Sequence, residues 1–166
     1  ESALVEGDST MGVLAGDLGA LLDELGLKRI VLGGLSMGGY ASFAFLDRYA
    51  DRVEALILAD TRATPDTEEG RRARYEAAML AEKEGSAAVA ERLLPKLLGE
   101  TTRKRKPAVV EQVRAMIGST PPLGIARFQR GMAVRPDSTP LLARIRCPVL
   151  VLVGEEDVLT PPAEAE

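Results

Sequence analysis

Three short apolar runs constrain the fold of this chain more than any other feature: Arg29 to Leu32, Val53 to Ala59 (VEALILA) and Pro148 to Val153 (PVLVLV). They lack the apolar–polar alternation of a half-buried antiparallel strand. Segments with helical spacing flank them. In the first, Met11, Leu14, Leu18, Leu21, Leu22 and Leu25 recur on one face, with Ser9 or Thr10 as cap and Gly26 as stop. Met37 to Tyr49 is apolar on nearly every side, the pattern of a helix buried in a larger body. Val/Ile/Leu runs separated by helices predict an α/β fold whose parallel sheet is covered on both faces. At 166 residues and 46% hydrophobic content the chain is long enough for one such core. Aromatic residues are scarce, at 4%, so that core must be built from Leu, Val, Ala and Ile.

Between the second and third runs the composition changes. Residues 62–140 hold most of the Arg, Lys and Glu and contain no convincing strand. Helical stretches are predicted at about 65–84, 86–98, 106–117 and 121–133, broken at Gly85, Gly99, Gly118 and Pro121-Pro122. Helices that leave after one strand and return before the next read as a cap over the sheet; an ordinary helical layer is the alternative. The expected organisation is a core of residues 1–61 and 141–166 with a cap of residues 62–140.

The formal net charge of −4 argues against a nucleic-acid or anionic-membrane partner. The one basic run, Arg103-Lys104-Arg105-Lys106, reads as a solvated helix entrance. A single cysteine, Cys147, rules out an internal disulfide framework and fits a reducing, cytoplasmic compartment. No apolar run approaches the ~18 residues of a membrane span.

The chemistry concentrates where the first run ends. Gly34-Leu35-Ser36-Met37-Gly38 fits G-x-S-x-G between a strand and a helix. A nucleophilic serine needs a sharp turn that lifts its hydroxyl clear of the sheet's carboxyl edge. Gly34 and Gly38 are expected to avoid a clash across that turn, and Gly39 to let the helix lie close to the strand. The Met37 N–H, at the helix N-terminus, would face a developing oxyanion. The alternative is a small residue in a glycine-rich turn that binds phosphate. Both phosphate-loop patterns, G-x-x-x-x-G-K-[ST] and G-x-G-x-x-G, are absent.

Serine nucleophiles work with a base oriented by a carboxylate. After the third run comes Gly154-Glu155-Glu156-Asp157, and parallel strands bring their carboxyl ends to one edge. Asp157 is the candidate acid, with a helix N-terminal acid near Thr160 as its structural alternative. Asp60, just past the second run, is the other candidate. Glu155 and Glu156 read as solvated.

Together, GLSMGGYASFAFLDRYADRVEALILADTRA, the helical insertion and IRCPVLVLVGEEDVLTPP resemble the α/β-hydrolase superfamily, in particular the 3-oxoadipate enol-lactonase-like and esterase branch. The resemblance implies an α/β-hydrolase fold, a parallel sheet core with a helical cap. It implies Ser36 as nucleophile, Met37 as one oxyanion donor and Asp157 as acid, with no metal or organic cofactor. The substrate implied is a small ester or lactone. Met79, Met116, Phe128 and Met132 are candidates to line an acyl pocket, or else form the core of the cap.

Two departures stand out. The family places a His-Gly loop ahead of the serine and a catalytic histidine after the acid, and this chain contains no histidine. It therefore reads as the middle of a hydrolase, incomplete at both ends. Thr160-Pro161-Pro162, a helix start close to the last residue, adds to that expectation. Such a piece would expose sheet edges open to association with another chain. A perhydrolase or carbon–carbon bond hydrolase of the same fold, and a truncated non-catalytic binding domain, remain as alternatives.

Overall fold

The computed structural model describes residues 7–165. They form two compact units. A sheet unit comprises residues 10–65, 135–153 and 160–165; a helical unit comprises residues 7–9, 66–134 and 154–159.

The sheet unit begins with α1 (Met11–Glu24), whose first turn is capped by the Thr10 side chain accepting from the Val13 N–H. Strand β1 (Ile30–Leu35) runs through the glycine pair and is longer than its apolar run suggests, because Gly33 and Gly34 also pair with β2. Helix α2 (Met37–Tyr49) leads by a single 3-10 turn into β2 (Val53–Ala59). A short helix missed by the sequence reading, α7 (Thr139–Leu142), precedes β3 (Val149–Leu152). The strands pair in parallel in the order β1-β2-β3.

A register irregularity at the start of the β1–β2 pair leaves Glu54 unmatched. The extra residue lets Val53, Leu56 and Leu58 all face the buried side, opposite Ile30, Leu32 and Gly34. There they meet Phe43, Phe45 and Leu46 of α2, with Ala15 and Leu22 of α1 behind. Phe45, at 0% exposure, is the centre of this core. The Arg52 guanidinium staples the start of β2 to the loop after α1. It donates to the Lys28 and Leu27 carbonyls at 2.8 and 2.6 Å and pairs with Asp23 at 2.8 Å.

The expectation that both faces of the sheet are covered is not met among the described residues. Val31 and Leu35, on the face away from α2, are 59% and 65% exposed, and all four residues of β3 are exposed. The apolar runs carry a second buried face in their pattern; this unit supplies helices to only one.

The helical unit contains α3 (Glu68–Leu97), α4 (Glu100–Arg105), α5 (Pro107–Ser119) and α6 (Pro122–Ala133). Gly85 breaks α3 with φ 85° and ψ 176°, a conformation open essentially to glycine alone. The small residues Ala78, Ala81, Val89 and Ala126 form the core between α3 and α6. The buried Asp66 carboxylate accepts from Arg74 at 3.0 Å, and Arg74 also reaches Gln129. The basic run is exposed and stands at the entrance to α5, as the sequence suggested, its last residue Lys106 being the N-cap of that helix. The run also ends α4, where positive charge meets the carbonyl end of the helix dipole.

Candidate active site

The turn from β1 to α2 holds Ser36 at φ 50° and ψ −109°, a region costly for any residue with a side chain. Its surroundings hold it there. The Ser36 N–H donates to the Ala59 carbonyl at 2.8 Å, tying the turn to the end of β2. The Ser36 carbonyl accepts from the Gly39 N–H at 2.9 Å and from the Thr61 hydroxyl at 2.8 Å. Ser36 occupies the N-cap position of α2, yet its side chain makes no capping bond and the residue is exposed. Its hydroxyl is therefore presented outward at the carboxyl edge of the sheet. Met37, half-buried, is the first residue of α2, so its N–H has no acceptor inside the helix.

Glycine is required at this turn, though not where the motif's symmetry suggests. A Cβ on Gly34 would lie 2.3 Å from the Gly38 carbonyl carbon and oxygen. A Cβ on Gly38 would meet nothing within 4 Å. The crowding is one-sided: the chain around Gly38 presses on Gly34, and the expected need for glycine at 38 is corrected. A Cβ on Gly39 would lie 2.3 Å from the Thr61 Oγ1, so this glycine makes room for Thr61 just beyond β2 rather than for β1.

Asp60 also has a left-handed backbone, at φ 43°, and its N–H donates to the Leu152 carbonyl at 2.9 Å. The end of β2 thus grips β1's turn through Ala59 and Thr61 and the end of β3 through Asp60. Sequence reasoning gave Thr61 no role. The only signal was its place two residues past an apolar run, which does not show where its hydroxyl points.

Asp157 lies in the segment 154–159, which groups with the helical unit, whereas Ser36 and Met37 belong to the sheet unit. Asp157 is half-buried in a turn closed by its own N–H on the Gly154 carbonyl at 3.0 Å. Its Oδ1 accepts from the Leu159 N–H at 2.7 Å. Glu156, expected to be merely solvated, is engaged. Its carboxylate accepts from the Thr101 N–H at 2.9 Å and from the Thr101 hydroxyl. Those bonds hold its pKa below the ordinary glutamate value.

The four candidate pocket residues are dispersed within the helical unit. Met132 is buried, Phe128 is half-buried, and Met79 and Met116 are exposed. Met79 lines an open groove with Tyr75, Ala133 and Val134, in which the other three take no part. Among the described residues no group of three or more His, Cys, Asp or Glu side chains is placed to hold a metal ion. No described helix is long and apolar enough to cross a membrane.

This strand–turn–helix on a parallel sheet agrees with comparisons to known proteins. The family model of the alpha/beta hydrolase fold matches residues 3–166, and the chain belongs to that family. It is 49% identical to a thermophilic esterase from Thermogutta terrifontis, with a TM-score of 0.94 over 99% of this chain and 61% of that one. An enol-lactonase from Burkholderia xenovorans LB400 is 32% identical, with a TM-score of 0.89 over 99% of this chain and 62% of that one. Among curated proteins, 3-oxoadipate enol-lactonase 2 of Acinetobacter baylyi is 28% identical over 92% of this chain and 56% of its own length. The chain thus spans about three fifths of the length of these relatives.

Proposed function

We propose that this chain is the nucleophile-bearing part of a serine hydrolase that cleaves carboxylic esters or lactones through an acyl-enzyme at Ser36. One observation carries the reading: an exposed serine hydroxyl, unused for capping, on a backbone held at φ 50° between a strand and a helix N-terminus. The esterase and enol-lactonase names of its relatives support the substrate class.

In the proposed reaction the Ser36 Oγ attacks the substrate carbonyl carbon while its proton passes to a histidine. That histidine lies outside these 166 residues, which contain none. Asp157 orients it and stabilises the imidazolium. The carbonyl oxygen becomes an oxyanion facing the Met37 N–H. Collapse of the tetrahedral intermediate breaks the C–O bond, and the leaving oxygen takes the proton back from the imidazolium. Water, deprotonated by the same base, then releases the acid and restores Ser36. No metal or organic cofactor enters this scheme.

The helical unit acts as a cap in this reading, and Met79, Met116, Phe128 and Met132 are its candidate acyl contacts. The half-buried free Cys147 is consistent with a cytoplasmic setting. The open sheet face and the outer edges of β1 and β3 are surfaces for association with further polypeptide.

The test uses the full-length protein carrying these residues, with a fluorophosphonate probe and a panel of p-nitrophenyl esters and lactones. Labelling and turnover are expected to disappear together in Ser36→Ala. Unchanged hydrolysis in that variant would overturn the nucleophile, and a protein that never labels would favour the non-catalytic binding domain.

A further inference from the structure

We propose that Thr61 is a positioning residue for this chemistry, aiming the oxyanion donor through the Ser36 peptide. The inference rests on the nucleophile reading above.

Ser36 has two soft torsions, and each is tied by one hydrogen bond to the same strand end. Its N–H, which reports φ, donates to the Ala59 carbonyl at 2.8 Å. Its carbonyl, which reports ψ, accepts from the Thr61 Oγ1 hydroxyl at 2.8 Å. Ala59 and Thr61 stand on either side of Asp60, whose φ of 43° turns the chain so that both reach the serine. A strained residue stays where it is only if its neighbours over-determine it. Thr61 supplies the constraint on the ψ side that comes from outside the helix, beside the Gly39 and Tyr40 N–H groups that donate to the same carbonyl at 2.9 and 3.4 Å.

That constraint passes directly to the catalytic donor. The Ser36 carbonyl and the Met37 N–H belong to one planar peptide unit and point in opposite directions from it. Fixing the direction of the carbonyl fixes the direction of the N–H. A donor on the carbonyl oxygen also polarises the amide, making its N–H a stronger donor on the other side. The Thr61 hydroxyl thus both aims and strengthens the group proposed to meet the oxyanion.

The packing shows that Thr61 sits where this requires. A Cβ on Gly39 would lie 2.3, 2.5 and 2.6 Å from the Oγ1, Cγ2 and Cβ of Thr61. The helix keeps a glycine at the place where the threonine side chain fills the angle between β2 and α2. All these residues lie in the sheet unit.

The experiment compares Thr61→Val and Thr61→Ser with the parent and with Ser36→Ala, in the full-length protein. Valine keeps the shape of threonine and removes the hydroxyl; serine keeps the hydroxyl. In Thr61→Val, kcat is expected to fall about 10- to 100-fold with KM unchanged, less than the loss of an entire oxyanion donor. Affinity for a boronic acid, which presents a tetrahedral oxyanion mimic at Ser36, is expected to fall by a similar factor. Thr61→Ser is expected to stay within about threefold of the parent, because the donor remains. Should Thr61→Val fail to fold, Thr61→Cys places a weak donor on the unbranched stem it shares with Thr61→Ser and is expected to lose kcat relative to that variant.

Two results would overturn the proposal while leaving Ser36 in place. One is Thr61→Val with kcat and boronate affinity like the parent's, or Thr61→Cys in its stead with both like those of Thr61→Ser. The other is equal losses in Thr61→Val and Thr61→Ser, which would make the role one of packing. Full activity in Ser36→Ala would remove the nucleophile itself, and this inference with it.

Discussion

Gly34, Gly38 and Gly39 look alike in the sequence, and the backbone separates them. Gly34 faces the Gly38 carbonyl carbon and oxygen at 2.3 Å from its missing Cβ, and Gly39 faces the Thr61 side chain at the same distance. Gly38 faces open space. Gly34→Ala is therefore expected to cost about 1–3 kcal/mol, since backbone cannot move aside as a flexible side chain can. Gly38→Ala is expected to be neutral or slightly stabilising, because alanine favours the first turn of a helix. Urea denaturation of the two variants in the full-length protein checks this, and equal losses would refute the one-sided account.

Among the elements, the segment carrying Asp157 depends on a neighbour that no strand-end argument anticipates. Glu156 accepts two hydrogen bonds from Thr101 at the start of α4, linking residues 154–159 to the helical unit. Hydrogen bonding to Thr101 lowers the Glu156 pKa below its ordinary value. A carboxylate whose folded value is depressed contributes its full stabilisation above the unfolded value and loses it as pH falls through the folded one. The Thr101 amide resonance is thus expected to titrate at a pH below the ordinary glutamate range, and this step to vanish in Glu156→Gln. A Thr101 amide that does not respond to pH would dissolve the link.

Taken whole, the 166 residues hold a candidate nucleophile on a sheet with one open face and a candidate acid in the segment 154–159, and they hold no histidine. The chain by itself is expected to hydrolyse p-nitrophenyl acetate no faster than its own Ser36→Ala variant, since triad serine enzymes lose orders of magnitude without the base. Its open sheet is expected to give a species larger than a monomer by light scattering. Rapid Ser36-dependent turnover would show a base among these residues that the mechanism omits, and a clean monomer would show that the sheet protects its own edges.

Periodicity determined the longer elements, though not the short helices α4 and α7. Helices α1 and α2, the strands, and the break at Gly85 all follow from local rules of spacing, capping and glycine, because those rules act within a few residues. So did the position of Ser36, since strand, turn and helix are contiguous around it. The tertiary structure decided what depends on residues distant in sequence. It placed the Thr61 hydroxyl on the Ser36 carbonyl, showed that Gly38 need not be glycine, turned Glu156 toward α4 and left one face of the sheet uncovered. Hydrogen-bond direction and close packing are properties of pairs brought together by folding, and no pattern along a single chain records them.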